Sequence, residues 1–116
     1  MTYLIACLST GKGTWTEVKN LLKFADWKKV MLFTNDFGKE KFTDEKAELI
    51  VVDWNNGLKN SIGQIKEKLS EIKETEVALN LESGTGFEHM AIISAIINSG
   101  LGFRLVTAKN DKIIEI

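Results

Sequence analysis

Two short segments carry the residues best suited to binding or chemistry: Ser9-Thr10-Gly11-Lys12-Gly13-Thr14 and Glu82-Ser83-Gly84-Thr85-Gly86. Ser9, Thr10, Ser83 and Thr85 offer small hydroxyl donors. Glycine lets the main chain turn at positive φ and lets a ligand come close to the backbone. Each segment precedes an apolar run of helical period, so each is expected to open a helix whose first N–H groups lack partners. Such groups favour phosphate, and Lys12 adds a mobile positive charge. The first segment stops short of the stricter nucleotide motifs. Gly11-Lys12-Gly13 supplies two glycines of G-x-G-x-x-G, but Thr16 holds the third place, and G-x-x-x-x-G-K-[ST] is absent. No nicotinamide, flavin or other cofactor is therefore expected. The plain alternative is that both segments are ordinary strand-to-helix connections that use Gly, Ser and Thr for capping.

Lys12 and Ser9 are the candidates for catalysis. In this reading Lys12 stabilises phosphate charge, while Ser9 and Thr10 orient a ribose hydroxyl or donate to phosphate. The sequence shows no base beside Ser9 to activate it as a nucleophile. His89, the one histidine, falls in the first turn of the helix after the second segment. It suits a base contact or acid–base work, with a capping role at the surface as the alternative. Glu88 and His89 are neighbours on that helix and should diverge by about 100°. Trp15 and Trp54 lie in or just after ligand-side loops and offer faces for base stacking, with rim packing as the alternative. Trp27, at the start of the second strand, reads as structural. Cys7 lies within Leu4-Ile5-Ala6-Cys7-Leu8 and reads as a small buried hydrophobe. One Cys and one His support neither an internal disulfide nor a zinc site, so no metal is expected.

These residues need elements to hold them. Tyr3 to Leu8 is a continuous apolar run and reads as a strand buried on both faces. Thr14 or Thr16 caps the next helix, with Glu17 placed for a capping box to Thr14, and Val18, Leu21, Leu22 and Ala25 form its apolar stripe. Lys28 to Thr34 is a second strand, and Asn35-Asp36-Phe37-Gly38 reads as a turn before a short charged helix within Lys39 to Glu48. Leu49 to Val52 is a third strand. Leu58 to Lys73 is an amphipathic helix on Ile62, Ile65, Leu69 and Ile72, with a solvated Lys/Glu face. Val77 to Leu81 is a fourth strand and Phe87 to Ser99 a helix. Phe103 to Thr107 and Lys112 to Ile116 are strands joined by a connection short enough to force an antiparallel hairpin.

Strands alternating with helices predict an α/β fold: a Rossmann-like three-layer sandwich, with a mainly parallel sheet in the order 3-2-1-4-5 and a C-terminal antiparallel hairpin strand. In that order the first and fourth strands are neighbours, and the loops after them diverge to opposite faces. The crevice they leave is where ligands bind. The two segments rich in Gly, Ser and Thr follow those same two strands.

The 116 residues amount to one domain, 1–116, long enough for a single core. A hydrophobic share of 44% with a net charge of −1 argues against disorder. The same charge lacks the positive excess that duplex DNA demands. No apolar stretch approaches the ~20 residues of a membrane span, and no secretory signal is visible, so a cytoplasmic location is expected. Met90 to Ile97 is apolar nearly all round. A helix of that kind must bury a second face, and a two-fold homodimer through the 87–99 helix is expected to supply it.

The run Asn80-Leu81-Glu82-Ser83-Gly84-Thr85-Gly86-Phe87-Glu88-His89-Met90 resembles the fourth-strand motif of the CRISPR-associated Rossmann fold (CARF) family, in which a strand ends in a Gly-Thr-containing turn before a helix. The segment from Ser9 to Thr14 resembles that family's first ligand loop. The resemblance covers nearly the whole chain in element order. It implies a homodimer that binds a cyclic oligoadenylate across its two-fold axis, with both loops of each subunit touching the ligand. It further implies a role in CRISPR antiviral defence, as a metal-independent ring nuclease, a binding module or a subunit of a larger assembly. Ring opening needs no enzyme nucleophile, because the ligand's own 2′-hydroxyl attacks the neighbouring phosphate while the protein positions groups and stabilises charge. Gly86 stands where many members carry Lys. Two readings from other classes remain: a non-catalytic dimerisation or regulatory module, and a small Rossmann protein that binds a mononucleotide or phosphorylated metabolite.

Overall fold

Short apolar runs interrupted by helices that are polar on one side can bury themselves only as a central sheet covered by helices. The computed structural model describes residues 2–9 and 12–116, Lys12 by its main chain alone. Within them the elements are β1 (Tyr3–Cys7), α1 (Trp15–Lys23), β2 (Lys29–Thr34), α2 (Asp36–Lys41), β3 (Ala47–Val51), α3 (Leu58–Leu69), β4 (Glu76–Asn80), α4 (Gly86–Asn98), β5 (Gly102–Lys109) and β6 (Lys112–Glu115). They form an α/β fold with one six-stranded sheet in the order β3-β2-β1-β4-β5-β6. Neighbours pair in parallel except β5 and β6, which are antiparallel. The architecture is consistent with a Rossmann-like fold. The hairpin strand adds a sixth member at the sheet edge. Its two-residue turn places Asn110 and Asp111 at φ of 52° and 60°, the left-handed pair that matches the twist of a tight hairpin.

Side chains alternate across each strand, and the core divides accordingly. Ile5, Cys7, Met31, Phe33, Val77 and Leu79 point to one face, where Ile65 and Leu69 of α3 and Ala91, Ile92, Ala95 and Ile96 of α4 cover them. Leu4, Ala6, Leu8, Val30 and Leu32 point to the other, under Val18, Leu21 and Leu22 of α1. Fully burying one such aliphatic side chain contributes roughly 1.5–3 kcal/mol. The chain therefore leaves β1 for one face and β4 for the other, which opens the sheet between their carboxyl ends.

Three local expectations change. Asn35 to Gly38 is not a turn. The Asn35 side chain accepts from the Gly38 N–H at 2.9 Å and caps α2, and a Cβ at Gly38 would overlap Thr34 Oγ1, so only glycine lets α2 sit this close to β2. The charged helix consequently ends at Lys41, and β3 starts at Ala47. The capping box expected at Thr14 is absent. A 3-10 turn at Lys12–Thr14 leads into α1, and Thr14 has the near-helical ψ of 4° instead of the extended backbone of a side-chain cap. Its hydroxyl oxygen is buried and has no partner among the described residues. The box forms instead at α4, between Thr85 and Glu88.

Candidate functional site

The loops after β1 and β4 meet directly. The Ser9 N–H donates to Ser83 Oγ at 2.8 Å, and Ser83 is completely buried. The Ser83 carbonyl in turn lies 2.7 Å from His89 Nε2. A carbonyl only accepts, so Nε2 carries the hydrogen. Gly84 follows at φ +112°, a conformation that favours glycine. A Cβ there would sit 2.6 Å from Cys7 Sγ, 2.9 Å from His89 Nε2 and 3.1 Å from Glu88 Oε1. Glu88 and His89 therefore converge on one glycine, although adjacent helix positions were expected to diverge. The turn before α4 runs back beneath the helix start and brings Gly84 between them.

Glu88 joins three elements. Its carboxylate accepts from the Thr85 N–H at 2.9 Å, and its own N–H donates to Thr85 Oγ1 at 3.2 Å. The Cys7 thiol at the end of β1 points at the same oxygen, 3.6 Å away. Burial first, and then the nearby Glu88 carboxylate, push the Cys7 thiol far above the ordinary cysteine range. Cys7 is thus an inert thiol that steadies Glu88, not a nucleophile. The box leaves the Gly86 and Phe87 N–H groups as the donors at the start of α4 that neither capping bond uses.

The structure assembles Ser9, Ser83, Gly84, Thr85 and His89 from the predicted set around the carboxyl ends of β1 and β4. Gly13 and Gly86 flank them, and a Cβ at either would meet no atom within 4 Å. Thr14 is at the start of α1. Thr10, Gly11 and the Lys12 side chain lie outside the described residues. Glu82 faces the opposite neighbour, β5. Its carboxylate accepts from Thr107 Oγ1 at 2.5 Å and from Asn80 Nδ2 at 2.8 Å. Asn80 also donates to the Val106 carbonyl at 2.8 Å and accepts from the Glu82 N–H at 3.0 Å. This buried amide pins the loop's first residue, and nothing in the sequence pattern singled it out.

Trp15 is a structural brace. Its indole N–H donates to the Ser9 carbonyl at 2.9 Å, and its ring packs on Phe37 and Phe42 with centroids 6.1 and 5.6 Å away. Trp54 differs. Its indole N–H donates to the Thr34 carbonyl at 3.1 Å, and the residue lines a cavity of about 320 Å³ at the ends of β2 and β3. Asn35, Asp36, Val51, Val52, Asp53, Asn55 and Glu88 complete the lining. Sequence reasoning passed over this cavity. The available signal was two polar clusters, Asn35-Asp36 and Asp53-Trp54-Asn55, each directly after a strand.

The described residues contain no group of three His, Cys, Asp or Glu side chains that could hold a metal ion. The arrangement offers main-chain and hydroxyl donors at the β1–β4 crevice, an imidazole beside them, and an acceptor-rich cavity that shares Glu88 with the crevice. None of the described helices is long and apolar enough to cross a membrane. Neither protein-family models nor curated proteins yield a match to this chain.

Proposed function

We propose that the chain is a CARF-like binding protein for a cyclic oligoadenylate, held in the crevice after β1 and β4 across a homodimer axis. The observation that carries this reading is the hydrogen bond from the Ser9 N–H to Ser83 Oγ, which ties the two glycine-rich loops together where the sheet changes winding direction. Phosphates lie against the loop amides and the start of α4, with Lys12 supplying positive charge. Thr10, Gly11, Gly13, Thr14, Thr85, Gly86 and His89 line the ligand in this reading.

The protein opens the ring without a metal. The ligand's 2′-oxygen attacks the adjacent phosphorus, the bond from phosphorus to the 5′-oxygen breaks, and a 2′,3′-cyclic phosphate forms. The 2′-hydroxyl proton leaves to solvent and the departing 5′-oxygen gains one. Lys12 stabilises the charge that develops on phosphate, and Ser9 orients the attacking ribose.

Phe87, Met90 and Ile97 of α4 support the dimer, for they are spaced along one flank of the helix and stay 41, 58 and 61% exposed. Titration of the purified protein with cyclic tetra- and hexaadenylate tests the binding. One ring per dimer, weakened by Lys12→Ala, is expected, and linear products establish turnover. No heat at high micromolar ligand refutes the reading. Ile97→Glu is expected to shift the sedimenting species to a monomer. A second reading, one mononucleotide per subunit, is favoured by the start of α4, whose Gly86 and Phe87 N–H groups are left by the capping box to meet a phosphate within a single chain. A stoichiometry of one ligand per subunit would select it.

A further inference from the structure

Glu82 is the acidic residue of the loop after β4, and its charge opposes a phosphate in the crevice. It adjoins Ser83, whose hydroxyl takes the Ser9 N–H. No lysine or arginine among the described residues pairs with it. Neutral donors hold its carboxylate instead. Thr107 Oγ1 donates to Glu82 Oε1 at 2.5 Å, and Asn80 Nδ2 donates to the same oxygen at 2.8 Å. Glu82 is otherwise exposed, so these two bonds, and not packing, fix where the carboxylate stands. The donors are themselves fixed. The last β4–β5 pair is Leu79 with Leu105, and β5 runs on to Lys109. Thr107 therefore stands beside the loop and not beside β4, and on its other side it pairs with Ile114 of β6. The Asn80 amide is buried and also donates to the Val106 carbonyl at 2.8 Å.

We propose that Thr107 is a positioning residue for the crevice: its hydroxyl, with the Asn80 amide, keeps the Glu82 carboxylate on the β5 side and so leaves the Ser9–Ser83 junction open to an anionic phosphate. Neither Thr107 nor Glu82 touches the ligand. The proposal rests on the reading of the crevice as a phosphate site, and it does not need the ligand to be cyclic. A bond from a hydroxyl to a carboxylate is charge-assisted and stronger than a neutral one. Without that hydroxyl the carboxylate keeps one bond where it had two. It then samples positions nearer the loop amides, where it competes with the ligand for the same donors and repels it. Thr107 thus acts on the ligand through a charge that it withholds, 25 residues away from it in sequence.

Calorimetric titration of the whole chain with cyclic tetraadenylate and, separately, with inorganic pyrophosphate tests this. Pyrophosphate carries the charge without the nucleoside. Thr107→Val keeps the shape and removes the hydroxyl. It is expected to weaken binding about fivefold, the scale of one hydrogen bond. The deficit is expected to shrink as salt is raised, because its origin is a charge. Glu82→Gln removes that charge and is expected to strengthen binding about twofold. In the double variant of Thr107→Val with Glu82→Gln the deficit is expected to vanish, whereas a loop merely distorted by the valine would keep it. Thr107→Ser retains the hydroxyl and should retain the affinity. Thr107→Val that binds as the parent does overturns the proposal, and so does a deficit that Glu82→Gln fails to repair. Weaker binding by Glu82→Gln alone would make Glu82 a ligand contact and overturn it too. If the parent binds only one of the two probes, the variant series on that probe decides the proposal. Pyrophosphate binding alone would remove the cyclic ligand and leave Thr107 to be judged by its own series. Binding of neither probe at millimolar concentration removes the phosphate reading and the proposal together.

Discussion

A methyl group at Gly84 is the smallest change that tests the site's geometry. Two costs arise. The backbone stands at φ +112°, and holding a non-glycine residue in such a region costs about 1–3 kcal/mol. The new Cβ would also approach Cys7 Sγ to 2.6 Å and His89 Nε2 to 2.9 Å. Overpacking of this kind costs about 1–3 kcal/mol. The two together predict that Gly84→Ala destabilises the fold by about 3 kcal/mol. For a chain of 116 residues that is a fall in melting temperature of roughly 12 °C. Urea unfolding followed by tryptophan fluorescence measures it as a lower midpoint at constant slope. Gly86 provides the control two residues on. It does not have positive φ, and a Cβ there meets nothing within 4 Å. Gly86→Ala is therefore expected to be neutral or to stabilise by about 0.5 kcal/mol. The cycle of Gly84→Ala with Cys7→Ala separates the two costs, because removing Sγ relieves the contact and not the dihedral. A favourable coupling of about 1 kcal/mol is expected in the double variant. Gly84→Ala within about 0.5 kcal/mol of the parent would show that the loop moves freely, and the convergence of Glu88, His89 and Cys7 would then define no site.

Three further outcomes follow from named contacts. Asn80→Ala strands the Val106 carbonyl and the Glu82 N–H and should cost about 2–4 kcal/mol in chemical denaturation. Thr85→Ala removes the hydroxyl half of the α4 capping box and should cost about 1 kcal/mol by the same measurement. Burial acts to raise the Glu48 carboxyl, but hydrogen bonds from Lys68 and Lys29 outweigh it and hold the group below its ordinary 4.5. A lowered folded value means that this stabilisation is complete above the ordinary value and is lost as pH falls through the folded one. Glu48→Gln should therefore flatten the fall in melting temperature on acidification below pH 4.5, and an unchanged acid limb would refute the assignment.

The strands and helices were legible because their periods differ. Buried parallel strands such as Leu4 to Leu8 read as unbroken apolar runs, whereas α3 alternates apolar and charged residues at helical spacing. The topology then located the crevice before any side chain was placed. What the sequence hid was the choice between equivalent local signals. Thr14-x-x-Glu17 and Thr85-x-x-Glu88 both spell a capping box. Only Thr85 has the extended backbone, φ −101° and ψ 165°, that lets its oxygen reach the third N–H of the helix. That difference comes from how each chain leaves its strand. Asn80 was illegible for a similar reason. An amide at a strand end is ordinary, and its value arises from the carbonyl of Val106, 26 residues away in sequence, coming within 2.8 Å. The cavity beside Trp54 was illegible because acceptor-rich loops leave no pattern as distinctive as the glycine and hydroxyl residues that mark a phosphate loop.

Charge at the carboxyl end of the sheet is arranged by side. Glu82 is turned toward β5 and engaged by Thr107 and Asn80, so its charge is directed away from the Ser9–Ser83 junction. Glu88 is engaged by Thr85 and Cys7 but still borders the cavity, together with Asp36 and Asp53. The α4-start donors that neither capping bond uses lie on the crevice side, and the acidic residues Asp36 and Asp53 lie toward β2 and β3. A ligand with one anionic end and one hydroxyl-rich end can meet both only in a single orientation. Reversal sets a phosphate against carboxylates, and two unit charges 4 Å apart near a protein surface repel by on the order of 4 kcal/mol. Turning a ligand around would thus cost about a thousandfold in affinity on this scale, which makes orientation a property of charge placement and not of any one specific contact.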